Sequence, residues 1–225
     1  MSEITKGLTS IIMATYDNHA LLRRITSASL HNIEKYTDKE DYELILVDNE
    51  FNDASLDKRY HRWDLDYYIF NEKDKGYSAS CNQAAELAKG EYLCFIHNDV
   101  FVWEGWLPKL REYLEKDICD VVWPHQGPTP RDYVKESYEK DLQANDDAGI
   151  TFMRRSDFDM VGGWDERFFG ALNEIAFRRK YTSKGLRTLS TSRVIITHIG
   201  GGVALADQER FQKQYGDEGK ILHAE

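Results

Sequence analysis

The chain has 225 residues, 41% hydrophobic and 30% charged, which is enough to bury a large core and far from the composition of a disordered polymer. With 29 Lys and Arg against 39 Asp and Glu the formal charge is −10, so the averaged surface repels polyanions such as free duplex DNA and anionic membranes. Cys81, Cys94 and Cys119 are odd in number, lack C-x-x-C spacing and lie in segments that read as buried, a pattern that argues against a disulfide framework or a zinc site and for a reducing compartment.

Leu8 to Ala14 is an apolar run of β-formers, followed by Asp17-Asn18 and by a segment with helical spacing from Ala20 to Tyr36. Tyr42 to Asp48 repeats the strand signal, ends on a carboxylate and gives way to a loop at Asn49 to Asp53. Tyr67 to Phe70 reads as a third strand, Ser78 to Lys89 as an alanine-rich helix closed by Gly90, and Tyr92 to Ile96 as a fourth strand. Beyond Asp99 follow a helix over Trp106 to Lys116, a strand over Asp120 to Trp123, and a polar stretch from Gln126 to Asp147. Ile150 to Arg154 is strand-like, Ser156 to Val161 a short helix opening on a Ser cap, and Gly162 to Glu166 a glycine-hinged loop. Asn173 to Lys184 is helical, and Val194 to His198 is a strand running into Gly200-Gly201-Gly202.

Apolar strands alternating with helices imply an α/β domain, a mostly parallel sheet covered on both faces, and ligands in such sheets bind at the carboxyl ends of the strands. Thr15-Tyr16-Asp17, Asp48-Asn49 and His97-Asn98-Asp99 all fall at that edge, so three polar clusters are expected around one crevice. No internal repeat or linker divides the chain, so residues 1–225 read as one domain. No stretch is long and apolar enough to span a bilayer, and Met1 to Lys6 leads into the first strand without a signal-like segment, which places the protein in the cytoplasm, with any membrane contact made through a partner.

In this order and spacing the motifs resemble the inverting family 2 glycosyltransferases with the GT-A fold. The likeness runs from Thr9 to about Gly202 through Ser10 to Asp17, Leu46 to Asn49, Lys75 to Asn82 with Ala88 to Tyr92, His97-Asn98-Asp99, and Gly162 to Glu166. It implies a GT-A fold with a nucleotide-sugar half over residues 1–100 and an acceptor half over 101–225. The implied reaction is transfer of a sugar from a UDP-, GDP- or TDP-sugar to a hydroxyl of a carbohydrate or glycoconjugate.

The resemblance assigns residues one at a time. Thr15, Tyr16, Asp17 and Asp48 match the positions for base and ribose, and a carboxylate there can accept from an imide or a ribose hydroxyl. Asp17 is equally suited to cap the helix that follows. Gly76, Asn82, His97 and Asn98 fall on the donor side of the site. The family's D-x-D motif lies on His97-Asn98-Asp99, which makes Asp99 the direct ligand of Mn²⁺ or Mg²⁺; His198 is the second ligand, and imidazole favours Mn²⁺. With His97 in place of the first acid, the ion is expected to bind weakly unless the donor diphosphate shares it. For the acceptor proton, the acidic pair of the family reads Asn173-Glu174 here, leaving Glu174 as the general base and Asp165 and Glu166 as runners-up. Trp164 is a candidate to stack on a sugar, and the stretch from Gly127 to Asp147, with Arg131, Lys135 and Lys140, is a candidate lid. A non-catalytic nucleotide-sugar or glycan-binding module is the second reading. A sugar nucleotidyltransferase is a third, disfavoured because Ala14 to Asn18 lacks the glycine-rich loop that cradles a triphosphate.

Overall fold

The computed structural model describes residues 3–16, 20–49, 60, 62–127, 149–200 and 208–224. Eight strands and six α-helices are described in chain order. They are β1 (Thr5–Thr15), α1 (Ala20–Tyr36), β2 (Tyr42–Asn49), β3 (Tyr67–Asn71), α2 (Gly76–Leu87), β4 (Gly90–His97) and β5 (Val100–Phe101), then α3 (Trp106–Glu115), β6 (Val121–Gln126), β7 (Ile150–Arg154), α4 (Arg155–Val161), α5 (Asn173–Ser183), β8 (Thr188–His198) and α6 (Gln208–Ala224).

The strands form one sheet in the order β3-β2-β1-β4-β7-β6-β8-β5. β3, β2, β1 and β4 are parallel, β7 runs antiparallel between β4 and β6, and β8 is parallel to β6. The apolar runs of β1, β2 and β4 are buried on both faces because alternate residues enter two different cores. Ile11, Met13, Leu44, Leu46, Cys94 and Ile96 pack with α1 and α3. Ile12, Ala14, Ile45, Val47, Leu93 and Phe95 pack with α2, α4 and α5 on the other side. All three cysteines are buried thiols, and among the described residues no helix is long and apolar enough to cross a membrane.

Three local expectations are corrected. Gly90 does not close α2, whose C-terminal cap is Ala88; it is the first residue of β4, where an added Cβ would lie 2.5 Å from the Ser10 nitrogen. Its N–H donates to Ser10 Oγ at 2.8 Å, so the glycine serves the close approach of β4 to β1. Ser156 is not a cap, because α4 begins one residue earlier on Arg155, after Arg154 in extended conformation. Trp164 is 2% exposed and stacks on Phe177 with ring centroids 4.1 Å apart, which places it in the core and not on a sugar-binding face. Asp17, the loop after Asn49, and the stretch carrying Arg131, Lys135 and Lys140 lie outside the described residues.

Candidate active site at the carboxyl edge of the sheet

Parallel register brings the strand ends together. Thr15 is level with Asp48, Ala14 with His97, and Asn49 with Asn71, so the polar residues that end β1, β2, β3 and β4 form one continuous edge. Asp48 is 1% exposed and accepts from the Tyr68 hydroxyl at 2.8 Å. Tyr16 follows β1 directly and is half-buried.

Asn49 organises this edge from within. At 2% exposure it donates to the Thr15 carbonyl at 3.2 Å and to Ser80 Oγ at 2.9 Å, and its Oδ1 accepts from Asn71 Nδ2 at 3.0 Å and from the Lys75 N–H at 3.3 Å. One side chain thus ties β1, β2, β3 and the start of α2. The one sequence signal of this role is that an amide, rather than a second carboxylate after Asp48, closes a largely apolar strand.

The end of β4 and the turn after it send the side chains of His97, Asn98 and Asp99 in two directions. Asn98 points back under the sheet edge and donates to Thr26 Oγ1 of α1 at 2.8 Å and to Thr15 Oγ1 at 3.2 Å. His97 and Asp99 face the end of β8. His198 Nε2 lies 3.1 Å from Asp99 Oδ1, and His97 Nδ1 lies 3.4 Å from His198 Nε2. The Gly200 N–H donates to Asp99 Oδ2 at 3.0 Å, and the Ile199 N–H donates to the Asp99 carbonyl at 3.1 Å. The antiparallel pairing of Val100 with His198 makes this meeting possible across a long stretch of sequence.

On the other side of His97, its Nε2 lies 3.0 Å from Glu174 Oε1, on the first turn of α5. The Tyr77 ring packs edge-on against the His97 imidazole at 5.0 Å. Electrostatics follow from these contacts. Burial by itself would raise the Asp99 carboxyl, but the His198 hydrogen bond, the charges of His97 and His198 and the Gly200 N–H outweigh it and hold the group below its usual range. Burial would likewise raise Glu174, and the charge and hydrogen bond of His97, with His198 and the Gly149 N–H, hold it low. Burial works to lower the His97 imidazole, and Glu174 and Asp99 together raise it above the ordinary value.

Asn82 and Gly76 sit one layer away. Asn82 receives the Trp164 N–H at 2.8 Å, donates to the Trp164 carbonyl at 3.0 Å and to Glu166 Oε1 at 2.9 Å, and so clamps the glycine-hinged loop to α2. Gly76 has φ +80°, and an added Cβ would come 2.5 Å from the Phe169 carbonyl oxygen, while the Tyr77 N–H donates to that same oxygen at 2.6 Å. Asp165 is held by the Arg167 guanidinium, whose Nε lies 2.9 Å from Oδ1, and that pairing keeps its carboxyl low.

Sequence reasoning passes over Glu218 of α6. It is 3% exposed, and its carboxylate accepts from three successive N–H groups ahead of α5: Gly170 at 2.9 Å, Ala171 at 3.1 Å and Leu172 at 2.6 Å. Leu172 is the N-cap of α5, so the carboxylate also lies at the positive end of that helix dipole. Nothing local in the α6 sequence announces that contact.

The donor set fits a divalent cation. His97, Asp99 and His198 each offer one ligand atom, and these atoms lie within 4.8 Å of one another. The closest pairs, at 3.1 and 3.4 Å, match the separation of about 3 Å between neighbouring donors that each sit about 2.1 Å from one ion. Two imidazoles with one carboxylate suit Mn²⁺ or a later transition ion better than Mg²⁺.

The chain matches the model of glycosyl transferase family 2 over residues 10–184. An uncharacterised glycosyltransferase of Methanocaldococcus jannaschii is 29% identical over 120 residues, which are 52% of this chain and 40% of that protein. The chain spans less than half the length of the curated relatives it matches. Among solved structures, Staphylococcus aureus TarS 1-349 in complex with UDP-GlcNAc aligns with a TM-score of 0.66 at 17% identity, over 92% of this chain and 64% of that one. GalNAc-T7 with UDP, GalNAc and Mn²⁺ aligns with a TM-score of 0.68 at 15% identity, over 85% of this chain and 43% of that one. These likenesses establish the GT-A fold.

Proposed function

Because the chain belongs to glycosyl transferase family 2, we propose that it moves a sugar from a nucleoside diphosphate to an acceptor hydroxyl, with inversion and with a divalent ion, Mn²⁺ in preference to Mg²⁺. The observation that carries this reading is the convergence of His97, Asp99 and His198 at the carboxyl edge, beside the strand ends that hold Thr15 and Asp48. An ion bound there supplies charge neutralisation for the departing diphosphate.

The remaining work belongs to the chain's own groups. Asp48, Thr15, Tyr16 and Asp17 take the base and ribose, with Gly76, Asn82 and Asn98 shaping the donor side. Residues 1–100 form the donor half and 101–225 the acceptor half. The UDP and UDP-GlcNAc complexes of the solved relatives support a UDP-sugar as donor, and a carbohydrate or glycoconjugate is the acceptor. Glu174 accepts the acceptor proton while the oxygen bonds to the anomeric carbon and the bond to the diphosphate breaks; its low carboxyl keeps it ionised at neutral pH. Asp165 is the second candidate base.

The test is a thermal-shift and nucleotide-release screen of UDP-, GDP- and TDP-sugars with and without Mn²⁺. One donor should raise the melting temperature with Mn²⁺ present, since a ligand of the native state stabilises it by mass action, and should slowly release its nucleoside diphosphate. His198→Ala should lose the Mn²⁺ dependence. Binding without release would assign a non-catalytic nucleotide-sugar module instead, and no binding of any donor would refute the reading.

A further inference from the structure

We propose that Glu174 is a positioning residue for the metal site: its carboxylate accepts the Nε2–H of His97 and thereby turns Nδ1 of that ring toward the space shared with Asp99 and His198. The proposal rests on the metal-site part of the reading above and goes beyond it, because it gives Glu174 a task that precedes donor binding and proton transfer.

A neutral imidazole carries one N–H and one lone pair, and the hydrogen bond made by one nitrogen decides which atom is left to bind a metal. Here the two nitrogens of His97 have different company. Nε2 is 3.0 Å from Glu174 Oε1, and Nδ1 is 3.4 Å from His198 Nε2, which is itself 3.1 Å from Asp99 Oδ1. A carboxylate on the outer nitrogen selects the Nε2–H form and leaves the Nδ1 lone pair on the side of the other two donors. The ring is also prevented from turning freely, because Tyr77 packs edge-on against it at 5.0 Å and the His97 ring meets that of His198 at 5.2 Å.

The carboxylate is in turn fixed by its surroundings. It receives the Gly149 N–H, and the Gly149 carbonyl accepts the His97 N–H at 2.9 Å, so the residue just before β7 ties both partners together. Behind Glu174, the turn that starts α5 is gripped by Glu218 of α6 through the Leu172 N–H at 2.6 Å. The carboxylate that orients the ligand therefore sits on a braced helix start. Outer carboxylates of this kind orient metal-binding histidines and typically change metal affinity 10- to 100-fold when removed.

The experiment compares wild type with Glu174→Gln and Glu174→Ala in the absence of any donor. Long-range ¹H–¹⁵N histidine NMR of the metal-free protein, at a pH where the ring is neutral, reads the His97 tautomer. Mn²⁺ titration followed by electron paramagnetic resonance reads affinity. Wild type should hold the Nε2–H form. Glu174→Ala should lose that preference and bind Mn²⁺ roughly 10- to 100-fold more weakly; Glu174→Gln, nearly the same shape and still able to accept through its amide oxygen, should fold normally and fall between. Unchanged Mn²⁺ affinity in Glu174→Ala, or a proton on Nδ1 in wild type, overturns the proposal. Turnover does not separate the two roles of Glu174, because it falls in either case. The two readouts need no sugar transfer, so a failed transferase assay leaves this proposal standing, whereas a wild type that binds no Mn²⁺ removes the metal-assisted reading along with it.

Discussion

Replacing Glu218 by Ala tests whether α6 is docked by its carboxylate. The substitution removes the acceptor of the Gly170, Ala171 and Leu172 N–H groups. Gly170 and Ala171 are exposed enough to turn to water, but the Leu172 N–H is buried and loses its partner. Leaving one buried donor unsatisfied costs about 1–3 kcal/mol, and losing a negative charge at a partly buried helix start costs about 0.3–2 kcal/mol more. Recovering the hydration of the buried carboxylate offsets part of this, so the net expectation is a loss of about 2–3 kcal/mol, within the range of a broken buried network. Urea denaturation with an unchanged slope is the assay, because a shifted midpoint at constant slope reports stability alone. Hydrogen exchange adds the location: β1 and β4 should lose protection only by the drop in global stability, while the 170–172 amides should become open to local exchange as well. A loss below about 0.5 kcal/mol, the scale of an ordinary surface substitution, would contradict this role and shift the docking to the apolar cluster of Phe168, Leu172, Ala176 and Leu222 and to the Arg179 guanidinium, which donates to the Leu222 carbonyl at 2.9 Å.

Asn49→Asp should destabilise markedly, by about 2–4 kcal/mol, since it removes both amide donors and sets an oxygen against the Thr15 carbonyl; a melting temperature within a degree or two of wild type would sink the idea that Asn49 ties the strand ends. Asp120 gives a pH prediction. The Arg187 hydrogen bond, working against burial, lowers its carboxyl. Its stabilising contribution is therefore present above the unfolded value, about 3.9, and is lost as pH falls through the lower folded value. The stability gap between wild type and Asp120→Asn, followed by urea denaturation, should be steady near pH 6–7 and shrink below about pH 4; a gap independent of acid would contradict the pairing.

Particular elements show why parts of the fold are legible in the sequence and parts are not. The bounds of α1 follow from its spacing, and β1, β2 and β4 announce themselves because strands buried on both faces must be continuous apolar runs. Val100 and Phe101 carry no such signal. Two residues become β5 only because Thr197 and His198 lie opposite them. The first half of β8, over Thr188 to Arg193, is polar in sequence and becomes a strand through its pairing with β6. α6 is equally unannounced in its role, since the Glu218 carboxylate and Leu222 act on partners more than forty residues away.

The same division runs through the site. Residue type and order alone placed Asp48 and the His97-Asn98-Asp99 turn at the carboxyl edge, because a parallel sheet puts every strand end there. The alternation of apolar strands with helices pointed to the α/β class, and the motifs resembled the family that the match over residues 10–184 shows. Only the tertiary structure decided which way each side chain of the turn points, and it turned Asn98 inward to Thr26 while His97 and Asp99 met His198. It alone set Glu174 against His97 and buried Trp164 on Phe177. The physical reason is range: periodicity and turn chemistry act over a few residues and fix where a strand ends, whereas a side chain at that end takes its direction from partners that the fold brings in from far along the chain.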